Sequence, residues 1–337
     1  MPPRKRTKAA AKKEGEKGVT NGLEVPRLDR NVKKVDSGYL GGGDEQEKHQ
    51  EPSAGDKRKK SVTPEATHKA VKTAQPTKEE EAQSSAPKAS PVQVLKFLLS
   101  DAALDVCRPT DEIEATSTDN KDLVTYSQLL TPFEELLCAV VLSRPISHRL
   151  GLRTIRTILN PPYEFRTPVA IKTAGAQKVR RALDDAHTQH KDKTADEIDL
   201  LADAVSHNDW HNDLGRLRKQ SKGSVEAERE VLRRSIKGLG KTGLDIFYRR
   251  IQWLWEEAFP FVDSRTLASL QKLGLSKRPE GLVKMIEVRW SELDFKDSGE
   301  YSEDEKRRRA FVLLLERAVG ADLEKKIDEV LREASKL

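Results

Sequence analysis

The chain has 337 residues, 36% of them hydrophobic, which suffices for one large domain or two small ones where those residues are concentrated. No apolar run reaches about eighteen residues and the N-terminus lacks the apolar stretch of a secretory signal, so we expect an intracellular protein without a membrane partner. Cys107 and Cys138 are the only cysteines, which excludes a disulfide framework and a four-cysteine metal or iron–sulfur site.

Residues 1–90 differ in composition from the rest of the chain. They carry 20 basic and 14 acidic residues, so the net charge of +6 lies here and the remainder of the chain is neutral. The segment is rich in Lys, Glu, Ser, Thr, Pro and Gly and poor in aromatic residues, and therefore predicts a disordered basic tail. Its two basic clusters, residues 3–8 and 57–60, favour nuclear import. The alternative is a charged, hydrated tail that binds no import receptor.

Helical patterns begin at about Pro91. Val94, Leu95 and Leu98 give the first apolar stripe, which predicts an amphipathic helix. The polar segment 101–122 is predicted to be a loop. Residues 129–142 open with a threonine cap and a proline and continue as a nearly unbroken apolar run, which predicts a core helix buried on most sides.

Helical periodicity recurs along the rest of the chain, and no segment has the alternation of a strand. The predicted helices cover residues 148–159, 167–174, 176–190, 195–206, 241–258, 263–273, 303–318 and 321–335. The sequence therefore predicts an all-α domain over residues 91–337. The apolar stripes of the last two helices are expected to close the core, the alternative being a surface for a partner helix.

Gly238, Leu239 and Gly240 form a Gly-x-Gly hairpin between a predicted helix and the one that starts near Lys241. Glycines permit positive φ and close backbone approach, while the following helix directs free N–H groups and the positive end of its dipole toward an anion. The turn, continued through Lys241 and Thr242, can therefore hold a DNA phosphate. The alternative is a turn that serves helix packing alone.

The order of these parts resembles the helix-hairpin-helix DNA glycosylase superfamily, which includes the endonuclease III-like enzymes. The family's hairpin pattern matches Ile236, Gly238, Leu239, Gly240, Gly243 and Phe247, with Lys237 where proline is usual. Its core helix ending in Leu-Ser resembles residues 133–143, and its Val-Asp pair after the hairpin falls on Val262 and Asp263. The resemblance covers roughly residues 130–275. It implies a two-lobed all-α fold with the active cleft between the lobes, the hairpin at 226–258 and the catalytic-aspartate segment at 261–275.

The resemblance makes Asp263 the expected catalytic residue. An ionised carboxylate near the deoxyribose would stabilise the positive charge that develops as the base leaves, and would position or deprotonate water. Family members that also cleave the strand carry a nucleophilic lysine at the position of Thr242, and Lys241 is turned about 100° away around the helix. We therefore expect a monofunctional glycosylase. The alternative is that Asp263 only caps the helix that follows it.

Such an enzyme must flip a nucleotide into an aromatic or apolar pocket. Trp253 and Trp210 are the candidates for that pocket, whereas Tyr248 and Trp255 lie on an apolar helical stripe and are expected in the core. Because residues 91–337 are net neutral, DNA binding requires a one-sided basic face or help from the tail. The candidate DNA contacts are Arg144, Pro145, Lys237 and Arg265, joined in a basic face by Lys241, Arg249 and Arg250.

The resemblance implies a monomeric base-excision repair glycosylase acting on double-stranded DNA, and the basic clusters of the tail favour a nuclear location. The alternative is a non-catalytic DNA-binding or scaffold protein built on a degenerate glycosylase fold. No metal or other cofactor is expected, because Asn208 and Asp209 interrupt the helix that would align His207 with His211. The hairpin leaves room for a monovalent cation.

Overall fold

The computed structural model describes residues 89–117, 123–207, 209–296 and 299–337. The predicted disordered tail, with both of its basic clusters, lies outside the described residues. All described residues belong to one unit of the chain, residues 78–337. No helix in these ranges is long and apolar enough to cross a membrane.

The described ranges are all-helical and contain no strand, which confirms the predicted fold class at the level of secondary structure. The α-helices are α1 Pro91–Leu99, α2 Ala103–Cys107, α3 Thr110–Ser117, α4 Pro132–Leu142, α5 His148–Leu159, α6 Pro168–Asp185, α7 Lys191–His207, α8 Gly215–Gln220, α9 Val225–Ser235, α10 Lys241–Ile251, α11 Ser264–Lys272, α12 Pro279–Arg289, α13 Glu303–Leu323 and α14 Ile327–Ala334. Two short 3₁₀ helices cover Glu256–Ala258 and Trp290–Glu292.

Local signals explain where several helices start. Before α4, the Thr131 hydroxyl caps the amide of Glu134, the Glu134 carboxylate accepts from the Thr131 amide, and Pro132 takes the first helical position. Ser90 and Ser302 form the same capping box at the starts of α1 and α13. α4 is buried along nearly its whole length, as its apolar run predicts.

The segment 101–122 is not a loop, which corrects one prediction. α2 and α3 lie in it, and residues 118–122 are outside the described ranges. Three of the five residues of α2 are buried, and the helix contacts α13 and α14. Such a short helix has too weak a pattern to stand out in the sequence, because packing against distant helices stabilises it.

The predicted helix 241–258 ends at Ile251, which is a second correction. The amide group of the Gln252 side chain accepts a hydrogen bond from the Phe261 amide at 2.7 Å and donates to the Phe261 carbonyl at 2.9 Å. These bonds hold a bend in the chain. Trp255 and Ala258 therefore reach the core from irregular and 3₁₀ backbone, although their spacing continues the stripe of α10.

Buried apolar side chains form two clusters in the described ranges. The first includes Leu136 of α4 together with Phe247 and Trp255. The second includes Leu95 of α1 and Phe311 of α13. α10 packs on α4 and also contacts α13, so it connects the two clusters.

A buried ion pair joins α10 to α4. Arg250 Nε and Nη2 each lie 3.0 Å from an oxygen of the Glu135 carboxylate, and both side chains are almost wholly inaccessible to solvent. The Glu135 carboxylate also accepts from the Leu130 amide at 2.9 Å. The Arg250 guanidinium lies 4.3 Å from the centre of the Tyr126 ring and donates to the Gln128 carbonyl. Arg250 is therefore part of the core and not of a basic DNA-binding face.

Candidate functional site

A cavity of about 300 Å³ lies where α10, the start of α11, α13 and the α4–α5 turn meet. Its aliphatic wall is formed by Leu142, Ile146, Ile246, Val319 and Leu323. Its charged lining consists of the cations Lys241, Arg249 and Arg265 and the carboxylates Asp245, Asp263 and Glu316. The predicted hairpin helix and the predicted catalytic aspartate therefore border the same space.

The hairpin is a tight turn between α9 and α10. Ile236 and Leu239 are buried and anchor it, and the Leu239 amide donates to the Ile236 carbonyl at 3.2 Å. Gly238 has a φ of 89°, in the left-handed region that favours glycine. A Cβ atom added at Gly243, in the first turn of α10, would lie 2.7 Å from a Leu239 methyl group and 3.5 Å from Cβ of Ser143. The turn and the end of α4 thus fit closely against α10.

The first turn of α10 has no side-chain cap. Gly240 is the N-cap residue, and no acidic residue lies in the first turn. The first amides of a helix have no intrahelical partners, so those of Lys241 and Thr242 are available to an anion. A Cβ atom placed on Gly240 would meet nothing within 4 Å, and both Lys241 and Thr242 are exposed. This helix end can therefore accept a phosphate group.

Arg144 lies behind the hairpin rather than on a DNA-facing surface. Its Nη1 is 2.7 Å from Oε1 of Glu197 on α7, and its Nη2 donates to the Gly238 carbonyl at 3.1 Å. The Arg144 side chain is only 10% exposed. The structure therefore places this predicted DNA contact where it positions the hairpin backbone.

Asp263 caps α11 and lines the cavity. Its Oδ1 accepts from the amides of Arg265 and Thr266 at 3.0 and 3.1 Å. Its Oδ2 accepts from the Thr266 hydroxyl at 2.5 Å and from Arg249 Nη1 at 3.1 Å. The predicted capping role is thus present, and it is compatible with a chemical role because one side chain can serve both.

Arg249 bridges Asp263 to a second cavity carboxylate. Its Nη2 lies 3.2 Å from Oε2 of Glu316 on α13. Burial raises the pKa of Asp263, but the Arg249 charge and the hydrogen bonds from Thr266 outweigh it, so the pKa lies below its ordinary value. Burial also lowers the pKa of Arg249, yet Glu316, Tyr126 and Asp263 raise it above its ordinary value. With both carboxylates ionised, the group carries one net negative charge.

The other predicted site residues fall in three places. Pro145, Lys237 and Arg265 are exposed, and Arg265 alone of these lines the cavity. Trp210 is 1% exposed in the first apolar cluster, where its indole N–H donates to Gln220 at 3.2 Å. Trp253 is partly buried, with the Arg309 guanidinium 4.6 Å from its ring centre, and does not line the cavity.

The cavity therefore differs from the aromatic pocket that the sequence predicts. Of the described residues that line it, His148 alone carries an aromatic ring, and its Nδ1 lies 2.7 Å from Oε1 of Glu324. A flipped base would meet aliphatic side chains here.

Sequence reasoning missed two residues of this site. The sequence predicts Arg249 in a basic DNA-binding face, whereas the structure buries it between two carboxylates. Glu316 was not singled out, since it lies 67 positions after Arg249 on a helix assigned to core closure. Arg249 and Arg250 are adjacent near the end of a core helix. Because arginines are almost never fully buried without a partner, this pair in the sequence indicates carboxylates elsewhere in the chain that pack against them.

Comparison of the chain with protein-family models, with curated proteins and with solved structures found no match. The relationship to the helix-hairpin-helix glycosylases is therefore a hypothesis. It depends on the hairpin pattern, on the aspartate that follows it and on the cavity that both border.

Proposed function

We propose that the protein is a monofunctional DNA glycosylase of the helix-hairpin-helix type, which hydrolyses the N-glycosidic bond of a damaged or mispaired base in double-stranded DNA. The observation that carries the proposal is that the uncapped first turn of α10 and the Asp263 carboxylate border the same cavity. A phosphate held by that turn would bring the attached sugar to the carboxylate. The two apolar clusters, which both contribute elements to the cavity, support a two-lobed arrangement.

In this proposal, backbone amides rather than side chains make the main contact with the DNA. The amides of Lys241 and Thr242 bind one phosphate, and the exposed Lys237, Lys241 and Arg265 add positive charge around it. The predicted contacts of the Leu239 and Gly240 amides are not part of this grip, because these amides donate to the Ile236 and Gly238 carbonyls. Because the chain beyond residue 90 is net neutral, these few cations must act locally.

The chemistry in this proposal is electrostatic. Positive charge develops on the deoxyribose as the base departs, and the net negative charge of Asp263, Arg249 and Glu316 stabilises it. Arg249 keeps the Asp263 carboxylate ionised well into the acidic range, because its charge favours the carboxylate form. The aliphatic wall limits water, which strengthens these interactions.

Strand cleavage through a Schiff base is not part of the proposal. Thr242 occupies the position at which the lyase members carry lysine. The neighbouring Lys241 side chain is 80% exposed, and its Nζ lies 2.5 Å from the Asp245 carboxylate. Treatment with borohydride during the reaction should therefore trap no covalent complex between protein and DNA.

Replacing Asp263 with asparagine is expected to lower the rate of base release at least about 100-fold, since the variant loses a preorganised charge at the reacting sugar. Asparagine caps helices as well as aspartate does, so α11 should keep its start. The measurement is single-turnover release from duplexes that contain uracil, hypoxanthine, 3-methyladenine, 8-oxoguanine or thymine opposite guanine.

The matched control is Asp328→Asn, which removes an exposed carboxylate on α14 away from the cavity and should retain the wild-type rate. Release of no base from any duplex, or an equal rate in Asp263→Asn, would show that the glycosylase proposal is wrong.

The second candidate is a DNA-binding protein without chemistry. It is favoured by the Arg249–Asp263 ion pair, which offsets part of the carboxylate charge, and by the lack of a tryptophan, tyrosine or phenylalanine among the described residues of the cavity wall. It predicts DNA binding through the hairpin with no release of any base.

Replacing Gly240 with aspartate tests the hairpin in both candidates. The φ and ψ of Gly240, −88° and −170°, suit any residue, and the position opens into free space. Aspartate is a better helix cap than glycine, so the free energy of unfolding should rise by a few tenths of a kcal/mol. Its charge would occupy the phosphate position, so the affinity for DNA should fall about tenfold or more, near 1.4 kcal/mol.

The binding is measured by fluorescence anisotropy over a series of salt concentrations, and the stability by urea unfolding. Gly223→Asn, at a left-handed position in the turn between α8 and α9, serves as the control for substitution of an exposed glycine. Unchanged affinity in Gly240→Asp would show that the hairpin does not hold a phosphate.

A further inference from the structure

We propose that Glu316 accepts the proton of the attacking water, while Asp263 acts through its charge alone. This inference rests on the proposed glycosylase function and assigns a catalytic residue within it. It begins from the acceptor capacity of the two carboxylates that border the cavity.

Asp263 has no acceptor position left. A carboxylate offers about four lone-pair directions. Two amide N–H groups occupy those of Oδ1, and the Thr266 hydroxyl and Arg249 Nη1 occupy those of Oδ2, all at 2.5–3.1 Å. A water molecule could give its proton to Asp263 only after one of these bonds breaks, and two of them cap α11.

Glu316 retains that capacity. Within the described residues its one hydrogen-bond donor is Arg249 Nη2, at 3.2 Å from Oε2. The side chain is 12% exposed and lines the same cavity as Asp263. Since one guanidinium contacts both carboxylates, Glu316 can act on a water close to the sugar that Asp263 faces.

The water oxygen bonds to C1′ while the bond from C1′ to the base nitrogen breaks, and the electron pair of that bond leaves with the base. The water proton passes to Glu316. Glu316 then returns it through solvent to the departed base, so the carboxylate is regenerated and no further reactant is needed.

Several charged and titratable groups face Glu316. Arg249 and Asp263 lie in the main cavity, together with His148. An adjoining space of about 30 Å³ brings Tyr126, Arg317, Arg108 and Cys107 to its other side. His148 is the rival proton acceptor, although its Nδ1 is paired with Glu324.

The test compares the full-length Glu316→Gln and Asp263→Asn variants in single-turnover base release in H₂O and in D₂O, on whichever duplex of the panel the wild type processes. We expect the Glu316→Gln rate to fall about 100-fold or more. The wild-type rate should be lower in D₂O, because a water proton is in transfer as the bond to the base breaks. That solvent isotope effect should persist in Asp263→Asn and vanish in Glu316→Gln.

Two further measurements separate chemistry from folding and binding. Glutamine keeps an acceptor for Arg249, and Glu316→Gln should bind a duplex with a tetrahydrofuran abasic site within about twofold of the wild type, because proton transfer plays no part in that binding. Glu316→Asp keeps the carboxylate and should retain part of the rate together with the solvent isotope effect. Glu303→Gln, at the exposed start of α13, is the control.

Wild-type release with a full rate in Glu316→Gln would overturn this inference and leave the glycosylase proposal intact. The same holds if the solvent isotope effect vanishes in Asp263→Asn instead, or persists in Glu316→Gln and vanishes in His148→Gln. Absence of release by the wild type on every duplex would overturn both.

Discussion

Replacing Arg249 with methionine is expected to lower the free energy of unfolding by about 3–5 kcal/mol at neutral pH, because the buried Asp263 and the partly buried Glu316 lose their shared counter-ion. Arg249 contacts Asp263 and Glu316 at 3.1 and 3.2 Å. Methionine fills much of the same volume, so the loss measures charge more than packing.

The loss in the free energy of unfolding should be larger at neutral pH than at acid pH. In the wild type the pKa of Asp263 lies below the ordinary value of 3.8, so its contribution to stability is present above that value and is lost as pH falls through the lower one. Without Arg249 the pKa of Asp263 should rise, because burial still raises it while the charge and hydrogen bond of Arg249 no longer lower it, so the ionised carboxylate contributes less stability at neutral pH. The difference between the two proteins should therefore shrink on acidification.

Urea unfolding of both proteins at several pH values measures this difference. Arg249→Lys, which keeps the charge but cannot contact two carboxylates with the same geometry, should fall between them. A difference that is the same at every pH would show that packing, not charge, accounts for the effect.

Replacing Arg250 with methionine is expected to destabilise the protein by about 3–5 kcal/mol as well, for a related reason. Glu135 would remain buried, with only the Leu130 amide as a hydrogen-bond donor among the described residues. The contact of the guanidinium with the Tyr126 ring would also be lost. Thermal and urea unfolding measure the loss.

The informative control is the double variant Arg250→Met, Glu135→Met. Removing both partners of a buried ion pair is often neutral or stabilising, so the double variant should regain most of the loss of the single one. A double variant no more stable than Arg250→Met would mean that the pair is needed for the packing of α10 on α4 and not only for charge balance.

Much of the helical framework follows from local sequence. α5 occupies residues 148–159 as predicted, because Ser147 caps it and its apolar face is continuous. The predicted helices 167–174 and 176–190 lie within α6, where Gly175, with a φ of 74° and a ψ of 163°, separates two helices at a kink, as predicted. Glycine tolerates this backbone because it has no Cβ atom. The second helix ends at Asp185 and not at residue 190.

The site was only partly predictable, since its charges are paired over long sequence distances. The cap at Asp263 is a local feature and follows from sequence. The bridge from Asp263 through Arg249 to Glu316 joins three helices, and no period in the sequence connects them. Trp210 is predicted from the sequence as a candidate for the base pocket, whereas the fold buries it in the first apolar cluster.

The close fit of Gly243 against Leu239 and Ser143 packs the hairpin tightly against the end of α4. If the hairpin grips a duplex as proposed, moving it toward the cavity would disrupt this packing, so bending and unstacking of the DNA would supply the adjustment needed to deliver a nucleotide. That deformation costs least at mispaired or weakly stacked steps. Such an enzyme would first select sites at which the duplex bends and unstacks easily, before it contacts any atom of the base.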